Sequence, residues 1–284
     1  MNTVNKWVAG ARPRTLPAAI APVLVATAYA GDNWNLSRAL QALIVSLALQ
    51  VGVNYANDYS DGIRGTDDSR IGPIRLTASG LAKPIAVRRA AFISFFIAAL
   101  VGLNLAIAIS WWLIAVGIVA IGAAWGYTGG SQPYGYKGLG EISVFLFFGI
   151  VATVGSYFVQ VEKINLGIFF IATPLGTLAC AILAINNLRD REQDQIVGKR
   201  TVAVRLGDSG ARRLYIALLV TAHLFALLTL QLGALITLLA APLTWNLIRR
   251  VLAGAAGAEL IPFLARTGQL QLLFSALFAL GLIL

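Results

Sequence analysis

The sequence predicts an all-α membrane protein: a polytopic bundle of nine transmembrane helices, with the N-terminus in the cytoplasm and the C-terminus outside. Three observations carry that reading. Of the 284 residues, 58% are hydrophobic and only 12% are charged, too little polar surface to cover a water-soluble globule of this size. Apolar stretches close to the ~20 residues that a spanning helix requires recur from Leu16 onward, separated by polar interruptions. With the N-terminus inside, 20 of the 22 Lys and Arg residues fall on the cytoplasmic side and only Arg38 and Lys163 fall outside, the asymmetry that membrane insertion favours. The net charge of +10 is therefore mainly a topology signal, and no nucleic-acid partner is expected.

The first 14 residues carry Lys6, Arg12 and Arg14 but lack the compact apolar core and small-residue cleavage site of a secretory signal. They read as an interfacial lead-in, with Trp7 at headgroup depth. Spans then follow over residues 15–31, 38–57, 89–108, 111–128, 140–160, 165–186, 211–230, 232–249 and 267–284. Most connections are short, as helix hairpins require, and no linker marks a second domain, so residues 1–284 read as one membrane domain. Within the spans, Cys180 reads as a packing residue and His223, with no acid at helical spacing, as a packed or hydrogen-bonded one. Gly122 and Gly126 have the spacing of a close helix contact.

Two connections break the pattern, residues 58–88 and 187–210, and both are cytoplasmic in this topology. In the run Asn54-Tyr-Ala-Asn57-Asp58-Tyr-Ser-Asp61 the second helix continues, and positions 54, 57, 58 and 61 share a face because i, i+3, i+4 and i+7 align. Gly62 and Gly65 are expected to break that helix and to turn Asp67 and Asp68 back toward the stripe. In Asn186-Asn187-Leu-Arg189-Asp190-Arg191-Glu192-Gln-Asp194 the spacing repeats, with 187, 190 and 194 on one face. At an offset of 129, Asn57, Asp58 and Asp61 match Asn186, Asn187 and Asp190, which fits a weak internal duplication.

Carboxylates crowded this closely repel one another unless a cation sits among them. Asp and Asn oxygens without His or Cys favour Mg²⁺, which proteins usually hold with a few carboxylates plus the phosphates of a substrate. The pattern therefore points to a phosphate-bearing ligand. Arg64, Arg70, Arg75 and Lys83 interleave with the first cluster, and Arg189, Arg191, Lys199, Arg200 and Arg205 with the second, supplying donors for the phosphate oxygens that a metal leaves free. The bland alternative, solvated loops that set topology and solubility, accounts for single basic residues better than for two acidic stripes of helical spacing. A third connection, Tyr127 to Glu141, is rich in glycine, carries Tyr127, Tyr134, Tyr136 and Lys137, and has the composition of a pocket mouth.

These residues resemble the UbiA superfamily of intramembrane aromatic prenyltransferases. The first block is similar to its Asn/Asp-x-x-x-Asp motif, and Asp190-x-x-x-Asp194 to its second. The wording Asn57-Asp58-Tyr-x-Asp61, Arg70-Ile-Gly-Pro-Ile-Arg75, Lys199-Arg-Thr-Val-Ala-Val-Arg and Arg12-Pro-Arg-Thr-Leu-Pro is similar to the menaquinone branch. Asp67 departs from the commoner pattern, lying six residues after Asp61 where four is usual. The resemblance implies Mg²⁺ as cofactor, with Asn57, Asp58, Asp61, Asp67, Asp190 and Asp194 as its ligands. It implies diphosphate contacts from Asn57, Arg64, Arg75, Lys137, Arg189, Lys199 and Asn187. Tyr127 would lie near the acceptor, and Asp61, Asp67, Asp190, Asp194, Lys137 and Tyr127 together would carry catalysis. The implied substrates are a polyprenyl diphosphate and 1,4-dihydroxy-2-naphthoate, joined with loss of CO₂ to give demethylmenaquinone in the cell membrane at its cytoplasmic face. 4-Hydroxybenzoate and homogentisate are alternative acceptors. A transporter of an anionic isoprenoid lipid is the alternative from another class, but no Asp, Glu, Lys or Arg lies deep within a predicted span, where transporters place coupling residues.

Overall fold

A computed structural model describes residues 3–67 and 72–284; Asp68 and Arg70 lie outside the described residues. Among the described residues the chain is helical, with no strand. Ten helices follow in order: α1 (Thr3–Ala11), α2 (Pro17–Tyr29), α3 (Leu36–Ile63), α4 (Pro84–Ala108), α5 (Trp112–Gly126), α6 (Gly140–Val161), α7 (Gly167–Ile196), α8 (Val202–Leu227), α9 (Leu232–Leu252) and α10 (Gly257–Ile283). Helices overlie every predicted apolar stretch. Seven of them, α3, α4 and α6 to α10, are long and apolar enough to cross a membrane, whereas α2 and α5 have only 13 and 15 residues.

Local chemistry sets the boundaries. The Asn35 side chain accepts the Arg38 N–H and caps α3, Pro84 opens α4 where its missing N–H is harmless, and the Thr201 hydroxyl caps α8. α8 starts well before the predicted residue 211 and is kinked at Gly207, so its apolar periodicity becomes regular only beyond the kink. α6 contains a π-helical stretch, Phe145–Val151, and α9 begins as a 3₁₀ helix.

α3 and α7 both run past the predicted span ends at residues 57 and 186, to Ile63 and Ile196, so most of both acidic motifs is helical rather than looped. Each helix gives way soon after its end to a glycine at positive φ, Gly65 and Gly198. Gly62, expected to break α3, is helical instead. A Cβ there would stand 2.5 Å from the Thr77 side chain, so this glycine lets the 72–83 segment lie against the helix.

Buried side chains form two main clusters. The larger joins α2 with α6 to α10, around Tyr215, Phe274 and Phe278; the other joins α3 and α4 with the segment between them, through Tyr55, Leu76, Val87 and Phe95. Large apolar side chains such as Phe96, Ile107, Ile118 and Leu239 are exposed on the outside, as a lipid-facing surface requires. His223 hydrogen-bonds Thr244 at 2.9 Å and stands edge-on to Phe274, while the buried Cys180 thiol donates to the Glu141 carbonyl. Gly122 has open space beside it and Gly126 faces Tyr134, so this pair makes no close helix contact.

Candidate active site

A cavity of about 770 Å³ lies between the two clusters, walled by α3, α4 and α5 on one side and by α6 and α7 on the other. Both acidic motifs open into it. Asn54, Asn57 and Asp61 of α3 share the lining with Asn186, Asn187, Asp190 and Asp194 of α7. The residues first expected on one α3 stripe separate here. Asp58 follows Asn57 by one residue, about 100° around the helix, and this rotation takes it off the cavity face. Asp58 is fully buried and its carboxylate accepts the backbone N–H groups of Leu76 at 2.7 Å and Thr77 at 2.8 Å. It therefore anchors the 72–83 segment and stands apart from the expected ligand set.

The two motifs are tied together at the mouth. The Lys199 ammonium lies 3.3 Å from Asp61 Oδ2 and 4.6 Å from the centre of the Tyr136 ring, and the Tyr136 hydroxyl donates to Asp61 Oδ1. Burial, with the Asp61 charge beside it, holds the Tyr136 hydroxyl above its ordinary pKa, so it remains a donor. Across the cavity, Arg189 grips Asp190 with two bonds of 2.7 Å and also reaches the Asn186 side chain. Asn57 accepts from the Thr128 hydroxyl at 2.7 Å, which ties α3 to the loop after α5.

Five expected site residues do not line the cavity. Besides Asp58, Asp67 turns to Arg75 at 3.1 Å, leaving Arg75 itself in the wall. Arg64 binds the carbonyls of Thr128 and Gly130 and covers the Tyr136 ring, so its charge fastens the Gly-rich loop. Arg189 stands behind Asp190 as its brace. Lys137 points into a separate depression with Arg200 and Arg205, where its ammonium donates to Gln132 at 2.7 Å. Asn57, Asp61, Arg75, Tyr127, Asn187, Asp190, Asp194 and Lys199 do meet in one place. Sequence reasoning missed Tyr136 and the Arg12–Thr15 turn, which also lines the cavity. Their contacts join distant segments, and the tyrosine-rich composition near residue 136 and the Arg12-Pro-Arg-Thr-Leu-Pro wording were the only hints of a role.

The donor set suits a hard cation. Asp61, Asp190 and Asp194 offer carboxylates and Asn57 an amide oxygen, with no His or Cys among them. Among the described residues no three His, Cys, Asp or Glu side chains form a tight cluster. Mg²⁺ taking one or two carboxylates and completing its shell with water and phosphate fits this donor set. Away from these residues the cavity is mostly apolar, with Val45, Leu49, Val53, Leu103, Ile114, Ile121 and Phe147 along it, the lining that a hydrocarbon chain requires.

The match to known proteins agrees with this layout. Residues 19–258 match the family model described as UbiA prenyltransferase family. The chain is 48% identical to 1,4-dihydroxy-2-naphthoate octaprenyltransferase of Mycobacterium tuberculosis, over 97% of this chain and 96% of that one. It is 40% identical to the enzyme of the same name from Escherichia coli, over 100% and 97% of the two chains. Among solved structures, a UbiA homolog from Archaeoglobus fulgidus bound to GPP and Mg²⁺ superposes with a TM-score of 0.69 at 15% identity, covering 98% of this chain and 99% of that one, a likeness of fold. With its family model spanning most of the chain and relatives of high identity spanning nearly all of it, this protein belongs to the UbiA prenyltransferase family.

Proposed function

We propose that the protein transfers a polyprenyl group from its diphosphate to 1,4-dihydroxy-2-naphthoate, with loss of CO₂, in menaquinone biosynthesis. The observation that carries this reading is the convergence of two Asn/Asp stripes, Arg75 and Lys199 on the polar end of one long apolar cavity. In this reading α2 and α5 also cross the membrane, giving nine spans, and the motif-bearing end faces the cytoplasm from the cell membrane. Asn57 and Asp61 of one motif and Asp190 and Asp194 of the other would hold Mg²⁺ ions, which when bound would neutralise charge on the diphosphate as its bond to carbon breaks. Arg75, Lys199 and Asn187 receive the remaining phosphate oxygens. Asp67 keeps Arg75 in place, and Arg189 does the same for Asp190. The apolar walls, with Phe147 and Phe148, exclude water from the allylic cation, and Tyr127 lies at the acceptor. Balancing atoms, the direct product is the reduced, diol form of demethylmenaquinone.

The test is incubation of purified protein with Mg²⁺, a polyprenyl diphosphate and each acceptor in turn, followed by product mass. Naphthoate is expected to yield the prenylated diol less CO₂. Product from 4-hydroxybenzoate or homogentisate alone, or from none of the three, sinks the assignment. Because Lys137 faces the outer depression, Lys137→Ala is expected to leave kcat/KM within about threefold of wild type, the scale of a lost surface charge interaction. A loss of 100-fold, on the order of one missing transition-state donor, restores Lys137 to the diphosphate contacts.

A further inference from the structure

The turn from Arg12 to Thr15, between α1 and α2, is held more firmly than a connection requires. Asn54 of α3 donates through its amide to the Ala11 carbonyl at 2.9 Å and to the Thr15 hydroxyl at 3.1 Å, and the Gln50 amide reaches the same hydroxyl at 3.2 Å. α10 adds a glycine, since a Cβ on Gly268 would stand 2.7 Å from the Arg14 carbonyl oxygen. Arg12 takes a left-handed backbone, φ 52° and ψ 70°, which residues other than glycine rarely adopt. Such strain persists only where the surroundings over-determine it, and it gathers at positions that hold ligands. This turn lines the cavity, and what it presents there is Arg14. Among the described residues four basic side chains line the cavity, Arg12, Arg14, Arg75 and Lys199. Arg75 pairs with Asp67, Lys199 with Asp61, and Arg12 donates to the Asn54 carbonyl at 3.3 Å. The Arg14 guanidinium has no hydrogen bond, ion pair or ring contact among the described residues.

We propose that Arg14 binds the carboxylate of the acceptor and so selects aromatic acids over neutral phenols. The reaction brings two anions into one cavity. The diphosphate has the metal, Arg75 and Lys199; the acceptor's carboxylate needs a cation of its own, because a charge taken unpaired into a mostly apolar cavity is strongly destabilised. A guanidinium fork matches a carboxylate with two parallel hydrogen bonds, and a turn pinned by α3 and α10 holds that fork in place without spending it on the protein. The inference rests on the reading above for the acceptor being an aromatic acid, and not on which one, since naphthoate, 4-hydroxybenzoate and homogentisate all carry a carboxylate. Arg14 takes no part in bond making. The pair is present before prenyl transfer and persists through it, so its loss is read in the KM for the acceptor rather than in kcat.

Arg14→Gln tests this, because glutamine keeps a polar side chain but carries no charge. Arg14 is exposed at the mouth and pairs with nothing in the fold, so the variant is expected to keep the wild-type thermal midpoint. It is expected to raise the KM for the acceptor by about 10-fold or more, the scale of one lost hydrogen bond to a charged group, with kcat and the KM for polyprenyl diphosphate held within about threefold. Arg14→Lys is expected to recover part of the loss, since it keeps the charge without the fork. As competing ligands, 1-hydroxy-2-naphthoate is expected to bind the wild type about 10-fold or more tightly than its carboxamide does, and Arg14→Gln to erase that preference. An acceptor KM for Arg14→Gln within about threefold of wild type, a raised KM for the diphosphate instead, or a preference for the acid that survives the substitution overturns the assignment. If the wild type prenylates 4-hydroxybenzoate or homogentisate in place of naphthoate, the naphthoate reading falls and the same series on that acid decides Arg14. If it prenylates no aromatic acid, both fall.

Discussion

Asp61→Ala is expected to reduce prenyl transfer by at least about 10³-fold, the several kcal/mol that a correctly held divalent ion contributes to charge stabilisation. Asp61 is the sharper probe of the two motifs because of what surrounds its partners. Asp190 is gripped by the buried Arg189, and removing it strands a cation inside the bundle, which costs about 3–5 kcal/mol of stability and confuses the readout. Asp61 is buried to a similar degree, but it meets Lys199 through a single contact at 3.3 Å, and Lys199 keeps the face of the Tyr136 ring when the carboxylate is removed. Asp61→Asn separates the roles, since the amide oxygen still takes the tyrosine hydrogen bond but carries no charge for a cation. Both variants are expected to insert in the membrane, with Asp61→Asn keeping a thermal midpoint in detergent closer to wild type than Asp61→Ala, which also takes the acceptor from Tyr136. The measurements are turnover at saturating Mg²⁺ and Mn²⁺ binding followed by its paramagnetic signal. Wild-type turnover in either purified variant removes Asp61 from the metal site.

Asp58→Ala is expected to fail differently. Two backbone N–H groups, of Leu76 and Thr77, lose their acceptor, and each such loss costs about 1–3 kcal/mol, for a total of about 2–6 kcal/mol. The 72–83 segment carries Arg75 into the cavity wall, so the variant is expected to lose donor affinity together with stability, and proteolysis within that segment should accelerate. Asp58→Asn should recover part of both, with one oxygen still available. If Asp58 were instead a metal ligand, the variant would keep its thermal midpoint and need far more Mg²⁺. That result, checked by thermal unfolding alongside a Mg²⁺ titration, would falsify the anchoring role.

Asp58 and Asp61 also illustrate how far periodicity reaches. Helical spacing correctly drew Asn54, Asn57 and Asp61 onto one face, but the same template admitted Asp58, because a face defined by i, i+3, i+4 and i+7 is broad. Which edge of that face meets the cavity depends on the rotation of α3 against the 72–83 segment, and that rotation is set by contacts such as Gly62 against Thr77. Lys137 and Arg64 stay off the lining for a related reason. A basic residue near an acidic motif has several acceptors within reach of its long side chain. For Arg64 the carbonyls of Thr128 and Gly130 prevailed, and for Lys137 the Gln132 side chain.

The amino-acid sequence by itself determined the helical membrane class, the placement of the apolar stretches and the two acidic motifs with their oxygen-only chemistry. Each of these depends on residues near one another in the chain, through the apolar length of a segment or the rise and turn of one helix. The tertiary structure alone decided that both motifs open into a single cavity, that Lys199 and Tyr136 bridge to Asp61, and that Arg75 rather than Arg64 or Lys137 reaches the lining. Those outcomes depend on how helices distant in sequence rotate and approach. Each competing hydrogen bond differs by only about 1 kcal/mol or less, so packing, and not local pattern, chooses among them.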